Sequence, residues 1–182
     1  MQIRLGLFAA LLSLLALAAP AVAAEQLDPN NTLYMDLTYG RVIIKLRPDL
    51  APNHVARVKA LVAKGFYDGT PFHRVIDGFM AQGGDPTGTG TGGSSLPDLK
   101  AEFTNTPFKR GVIGAARTQD PDSANSQFFI VFADAPWLNG QYTVWGEVVT
   151  GMEYVDKLKR GEPPANPDKI IRMQLAATAL GK

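Results

Sequence analysis

Between Phe72 and Asp85, in FHRVIDGFMAQGGD, one arginine and one glutamine stand among large apolar side chains. Alternate residues of a strand face one side. A strand through Arg74 would put Phe72, Arg74 and Ile76 on one face and His73 and Val75 on the other. Asp77-Gly78 then signals a turn, and Phe79 and Met80 follow it. A guanidinium held beside apolar groups is costly unless something pairs with it, so Arg74 is a candidate for acting on a substrate. Few other residues offer chemistry. Ser94, Ser95, Ser123 and Ser126 have no histidine near them in sequence. His73, facing away from Arg74, reads as structural, and no carboxylate pair is marked as a glycosidase pair would be. With no cysteine and only His54 and His73, thiol chemistry and a histidine-rich metal site are excluded. No cofactor is implied. The sequence therefore favours chemistry that needs no proton transfer and no covalent intermediate.

These residues are carried by a chain rich in strands. Leu33, Met35 and Leu37 alternate with polar residues, and Arg41 to Arg47 forms a second strand after a Tyr39-Gly40 turn. Pro52 opens a helix whose apolar face is Val55, Val58, Leu61 and Val62, stopped at Lys64-Gly65. Further strands are expected at Val112 to Ala116, at Gln127 to Phe132 (buried on both faces), at Tyr142 to Val149, and through Ile171, Met173 and Leu175. Thr150 and Glu153 fit a capping box for a second helix that ends at Gly161, with Lys157, Lys159 and Arg160 near its C-terminal end. His54 is assigned no role. The run Gly88 to Gly93 satisfies a dinucleotide pattern by letter, but no helix follows it. It reads instead as a loop where glycines let another backbone come close.

The first 24 residues read as a secretory signal peptide: Arg4, an apolar run, and the small-residue end Ala21-Val22-Ala23. A retained membrane anchor is the alternative. Residues 25–31 are a polar lead-in, and 32–182 form one domain. The leader holds one of the 18 basic residues and none of the 17 acidic ones. The remainder is therefore balanced in charge, and gives no electrostatic case for nucleic acid or an anionic membrane.

FHRVIDGFMAQGGD, GTGG at Gly90–Gly93, SQFF at Ser126–Phe129 and WLNG at Trp137–Gly140, in that order, resemble the cyclophilin family of peptidyl-prolyl cis-trans isomerases. The resemblance runs from about Thr32 to Ala177. It implies a mainly β fold, a closed eight-stranded antiparallel β-barrel capped by two α-helices. It also implies an enzyme that rotates X-Pro bonds in unfolded or extended chains.

The resemblance assigns the site residue by residue. Arg74, Gln82 and Phe79 would form the catalytic group, with Arg74 donating toward the prolyl nitrogen and Gln82 orienting it. Phe79, Met80, Phe129 and Leu138 would line the proline pocket. Ala116, Arg117 and Thr118 would lie along the substrate backbone, with Gln127 and Gly90 at the groove. Many members carry Asn where Arg117 stands and His where Tyr142 stands; the expected backbone contacts do not depend on that Asn side chain. Trp137 matches the tryptophan associated with cyclosporin, so cyclosporin A is an expected inhibitor. The expected protein is a monomer exported to a bacterial periplasm, or alternatively secreted or held in a eukaryotic secretory lumen. A groove that only holds proline segments, and a barrel for small ligands, are the rival readings.

Overall fold

A computed structural model describes residues 26–181; the expected signal peptide and Glu25 lie outside the described residues. Residues 28–31 of the polar lead-in are ordered as a 3-10 turn, Pro29–Asn31, with the Asp28 side chain accepting from the Asn30 N–H. Strand β1 (Thr32–Leu37) and β2 (Gly40–Leu46) form the expected hairpin, paired from Thr32–Lys45 to Leu37–Gly40. Helix α1 (Pro52–Ala63) buries Val55, Val58, Leu61 and Val62, the apolar face read from the sequence. It packs on two strands met later in the chain, β7 (Val144–Thr150) and β8 (Arg172–Leu175).

The strands that carry the site are β3 (Arg74–Ile76), β4 (Met80–Gly83), β5 (Val112–Ala115) and β6 (Phe128–Val131). All eight strands form one antiparallel sheet in the order β3-β4-β6-β5-β7-β2-β1-β8. The sheet curls into an open half-barrel. Its edge strands β3 and β8 share no ladder; an isolated bridge, Pro71–Lys169, links the chain just before each of them. The eight antiparallel strands match expectation, and the ladder stops short of full closure.

Strand β6 shows why a short apolar run is buried on both faces. Phe128 and Ile130 join the main core with Leu33, Ile44 and Trp145, while Phe129 and Val131 join a second cluster with Met80, Phe108, Leu138 and Val144. The period of two divides one strand between two cores. The second cluster is the floor of the site.

Three expectations are corrected. Phe72 does not share the face of Arg74; it is fully buried with Val75 in the main core, edge-on to Phe128. The ladder begins only at Arg74, so alternation cannot be extended back to Phe72. Helix α2 is one turn, Met152–Val155, and has no capping box: its N-cap is Gly151 at φ +90°. Thr150 is already the last residue of β7, opposite Ile43. Arg160 lies past the helix, where its guanidinium donates to the carbonyls of Asp156 and Leu158. Ile171 is exposed and outside β8. A third short helix, α3 (Ala176–Ala179), was not read from the sequence; it packs on β1 and β8.

Candidate active site

The register of four adjacent strands builds the site. Arg74 pairs with Gln82, Gln82 with Phe129, and Phe129 with Gly114. Residues directly opposite in an antiparallel sheet share a face. A cation, an amide, an aromatic ring and a position without a side chain therefore form one row. Gly114 is needed there: a Cβ would stand 2.5 Å from Phe129 Cζ and 2.8 Å from Phe108 Cε1. Met80, two residues before Gln82 on β4, faces the same way.

This row opens on a cavity of about 120 Å³. Phe79, Met80, Phe129 and Leu138 line its apolar part, Arg74 and Gln82 its polar part, and Ala116, Arg117 and Tyr142 complete it. Phe129 stacks on Phe108 with centroids 5.6 Å apart, and meets Tyr142 edge-on at 5.5 Å. Trp137 is 59% exposed and leans on Phe79 at 5.6 Å, so it stands beside the cup as an open aromatic face. A larger cavity of about 460 Å³ adjoins it, and shares Gln82, Ala116 and Arg117 with it. Gly90, Thr118 and Gln127 line this second cavity. Every residue selected from the sequence thus falls in one of the two cavities or at the rim.

The hydrogen bonds differ from expectation at one point. Gln82 does not hold Arg74; its Nε2 donates to Gln127 Oε1 (2.9 Å). Gln127 in turn donates Nε2 to the carbonyls of Gly90 (3.0 Å) and Gly92 (2.8 Å). The amides therefore tie β4 and the residue just before β6 to the glycine-rich loop. Arg74 is held from elsewhere: its Nε donates to Glu162 Oε2 at 2.7 Å. Arg117 donates to the carbonyls of Gln141, Thr118 and Gln119, and its guanidinium lies 4.5 Å over the Tyr142 ring. Arg117 and Tyr142 thus contact each other, as a cation on an aromatic face.

Asp85 anchors the glycine-rich loop. It is fully buried and accepts from the Thr87 N–H and hydroxyl and from the N–H groups of Gly90 and Gly92. Burial alone would raise its pKa, but the bonds from Thr87, Gly92 and Gly90 outweigh it and bring the carboxyl down to about 2. The unfolded value is about 3.9. Its contribution to stability is therefore present above about pH 4, and is lost as pH falls through the folded value near 2. Stability in urea is expected to drop by on the order of 2–3 kcal/mol across that window from this group. Asp85→Asn should flatten that part of the profile; an unchanged acid slope in the variant would remove Asp85 from the account. Burial pushes the neighbouring His73 imidazole below its ordinary value, and His73 lines neither cavity.

Sequence reasoning missed two carboxylates. Glu102 accepts from the backbone N–H groups of Asn53 and His54, both at 3.0 Å, and lies 2.6 Å from His54 Nδ1. It serves as the N-terminal cap of α1 from 48 residues away, so no local pattern could reveal it. Glu162 is the other.

The family described as cyclophilin type peptidyl-prolyl cis-trans isomerase/CLD matches residues 32–175. A probable peptidyl-prolyl cis-trans isomerase of Brucella suis biovar 1 (strain 1330) is 51% identical over 191 aligned positions, covering 96% of this chain and 97% of the relative. Peptidyl-prolyl cis-trans isomerase-like 1 of Homo sapiens is 35% identical, covering 84% and 96%. Among solved structures, cyclophilin AquaCyp293 from Hirschia baltica superposes with a TM-score of 0.76 at 31% identity, covering 82% of this chain and 75% of that one. A Cryptosporidium parvum cyclophilin type peptidyl-prolyl cis-trans isomerase, crystallised in the presence of the dipeptide Ala-Pro, gives 0.74 at 30% identity, covering 79% and 98%. With residues 32–175 matched by the family and a relative 51% identical across nearly its whole length, this chain belongs to the cyclophilin-type peptidyl-prolyl cis-trans isomerases, enzymes of class EC 5.2.1.8.

Proposed function

We propose that Arg74 accelerates rotation about X-Pro bonds in unfolded or extended polypeptides by stabilising the twisted amide. The barrier is about 18–20 kcal/mol, because rotation breaks the C–N resonance. In the twisted state the lone pair returns to the prolyl nitrogen. A donor aimed at that nitrogen then interacts with the transition state and hardly with the planar amide, which is what a rate gain requires. An acceleration of about 10⁵ needs roughly 7 kcal/mol of such preference.

One observation carries this reading: Arg74 shares a small apolar cup with Phe79, Met80, Phe129 and Leu138. Its single protein bond uses Nε, which leaves two terminal nitrogens with no protein partner among the described residues. A guanidinium suits the task because it keeps its charge and presents donors in a fixed fork. In this reading the cup takes the pyrrolidine ring, and the larger cavity takes the residues before it along Ala116, Arg117 and Thr118, with Gln82, Gln127 and Gly90 at its wall. The Ala-Pro dipeptide used with the Cryptosporidium relative is consistent with such a ligand.

The test is exchange NMR of a short X-Pro peptide with and without the purified domain. Catalysed exchange, suppressed by cyclosporin A, is expected. The inhibitor would lie against the exposed face of Trp137, and suppression should weaken when Trp137 is replaced by alanine. Absence of any acceleration would refute the catalytic reading and leave a peptide-holding groove. The protein acts in this proposal as a monomer that assists folding of exported proteins. Its place is a bacterial periplasm, or else a secreted or eukaryotic lumenal setting, on the strength of the leader at residues 1–24.

A further inference from the structure

Strand β3 is the sheet edge, but its outer side is covered at one point. The Val75 N–H donates to the Gly161 carbonyl, and the Gly161 N–H donates to the Val75 carbonyl, both at 2.8 Å. This isolated antiparallel bridge sets 74 opposite 162 and 76 opposite 160. The bridge depends on Gly161, at φ +146°: a Cβ there would stand 2.6 Å from Pro164 Cα and 2.9 Å from the Pro163 carbonyl. On one flank Arg160 Nε donates to Asp77 Oδ1 (2.9 Å). On the other, Glu162 Oε2 accepts from Arg74 Nε (2.7 Å). The segment Arg160-Gly161-Glu162 is thus clipped to the strand that carries the proposed donor.

We propose that Glu162 is a positioning residue for prolyl isomerisation. It takes the Nε–H of Arg74 and turns the guanidinium so that both terminal nitrogens remain for the substrate. This rests on the reading of Arg74 as the transition-state donor. A long side chain free to rotate must be ordered when the amide twists; one ordered beforehand avoids that loss, and its planar fork transmits the orientation. The carboxylate also offsets part of the positive charge. With the side chains 43% and 51% exposed, water screens that opposing effect, whereas the orientation persists. Exposed ion pairs add little to fold stability, so the consequence is expected in rate.

The test is full kinetics on an X-Pro peptide with the complete folded domain. Glu162→Ala is expected to lower kcat about tenfold, equivalent to about 1.4 kcal/mol, with KM changed less than twofold. Glu162→Gln, whose amide oxygen can still accept from Nε, should recover most of that loss. In an Arg74→Lys background, which lacks Nε, Glu162→Ala should cause no further loss. A purely structural role would give neither the rescue nor the dependence on Nε. A native kcat for Glu162→Ala, when Arg74→Ala is slow, overturns the role of Glu162 and spares that of Arg74. A native rate for Arg74→Ala overturns the underlying reading instead. If Glu162→Ala melts early, the comparison of Glu162→Gln with native protein still decides: near-native kcat is required, and a tenfold loss refutes the acceptor role.

Discussion

Replacing Arg74 with alanine is expected to slow catalysed cis/trans exchange by about 10²–10³-fold, the usual cost of removing one preorganised donor from a transition state. The loss should fall on kcat. In the proposed binding mode the planar peptide meets the apolar cup and the backbone of residues 116–118, and neither changes. Arg74 is part exposed and its ion pair with Glu162 lies at the surface, so the fold should survive with little change in stability. Peptide titrations and exchange NMR on the same sample check both halves. Lost exchange with retained binding supports the enzyme. Retained exchange means that rotation is driven by something else in the groove, and the donor mechanism would have to be abandoned.

Phe129→Ala should produce the largest loss of stability, about 3–5 kcal/mol. The ring is 5% exposed, stacked on Phe108 and edge-on to Tyr142. Gly114 opposite offers no side chain to fill the space. The gap would also open the wall of the cup proposed to hold proline, so KM should rise along with the fall in melting temperature. Phe129→Leu, which keeps most of the volume, should cost less than half as much. A denaturant titration measures the first effect and saturation kinetics the second. A loss below about 1 kcal/mol for the alanine variant would mean that the ring is not held as described, and would take the cup with it.

Both predictions concern residues that a sequence reader could select. The alternation in β1, the apolar run of β2 and the helical spacing of Val55, Val58, Leu61 and Val62 are local patterns, and the folded chain follows them. The motif from Phe72 to Asp85, with SQFF and WLNG, was enough to name the lining of the cup before any register was known. Local patterns failed where a neighbouring element had a prior claim. Thr150 looked like a helix cap, yet it ends β7, and Gly151 opens the turn instead. Phe72 looked like a partner of Arg74 on one face, but the ladder had not yet begun there.

Composition and spacing by themselves determined the strand-rich fold, helix α1 and the exclusion of thiol and histidine-metal chemistry; the identity of the residues around the cup came through the resemblance to the cyclophilin family. The tertiary structure alone decided who holds whom. Glu102 caps α1 across 48 residues, Gln82 binds Gln127 across 45, and Glu162 reaches Arg74 across 88. The reason is geometric. A period of two or 3.6 reports the face on which a side chain stands, whereas a partner's identity depends on strand register and on which distant loop crosses the edge. Those are set by the packing of the whole sheet, and no short window of sequence contains them.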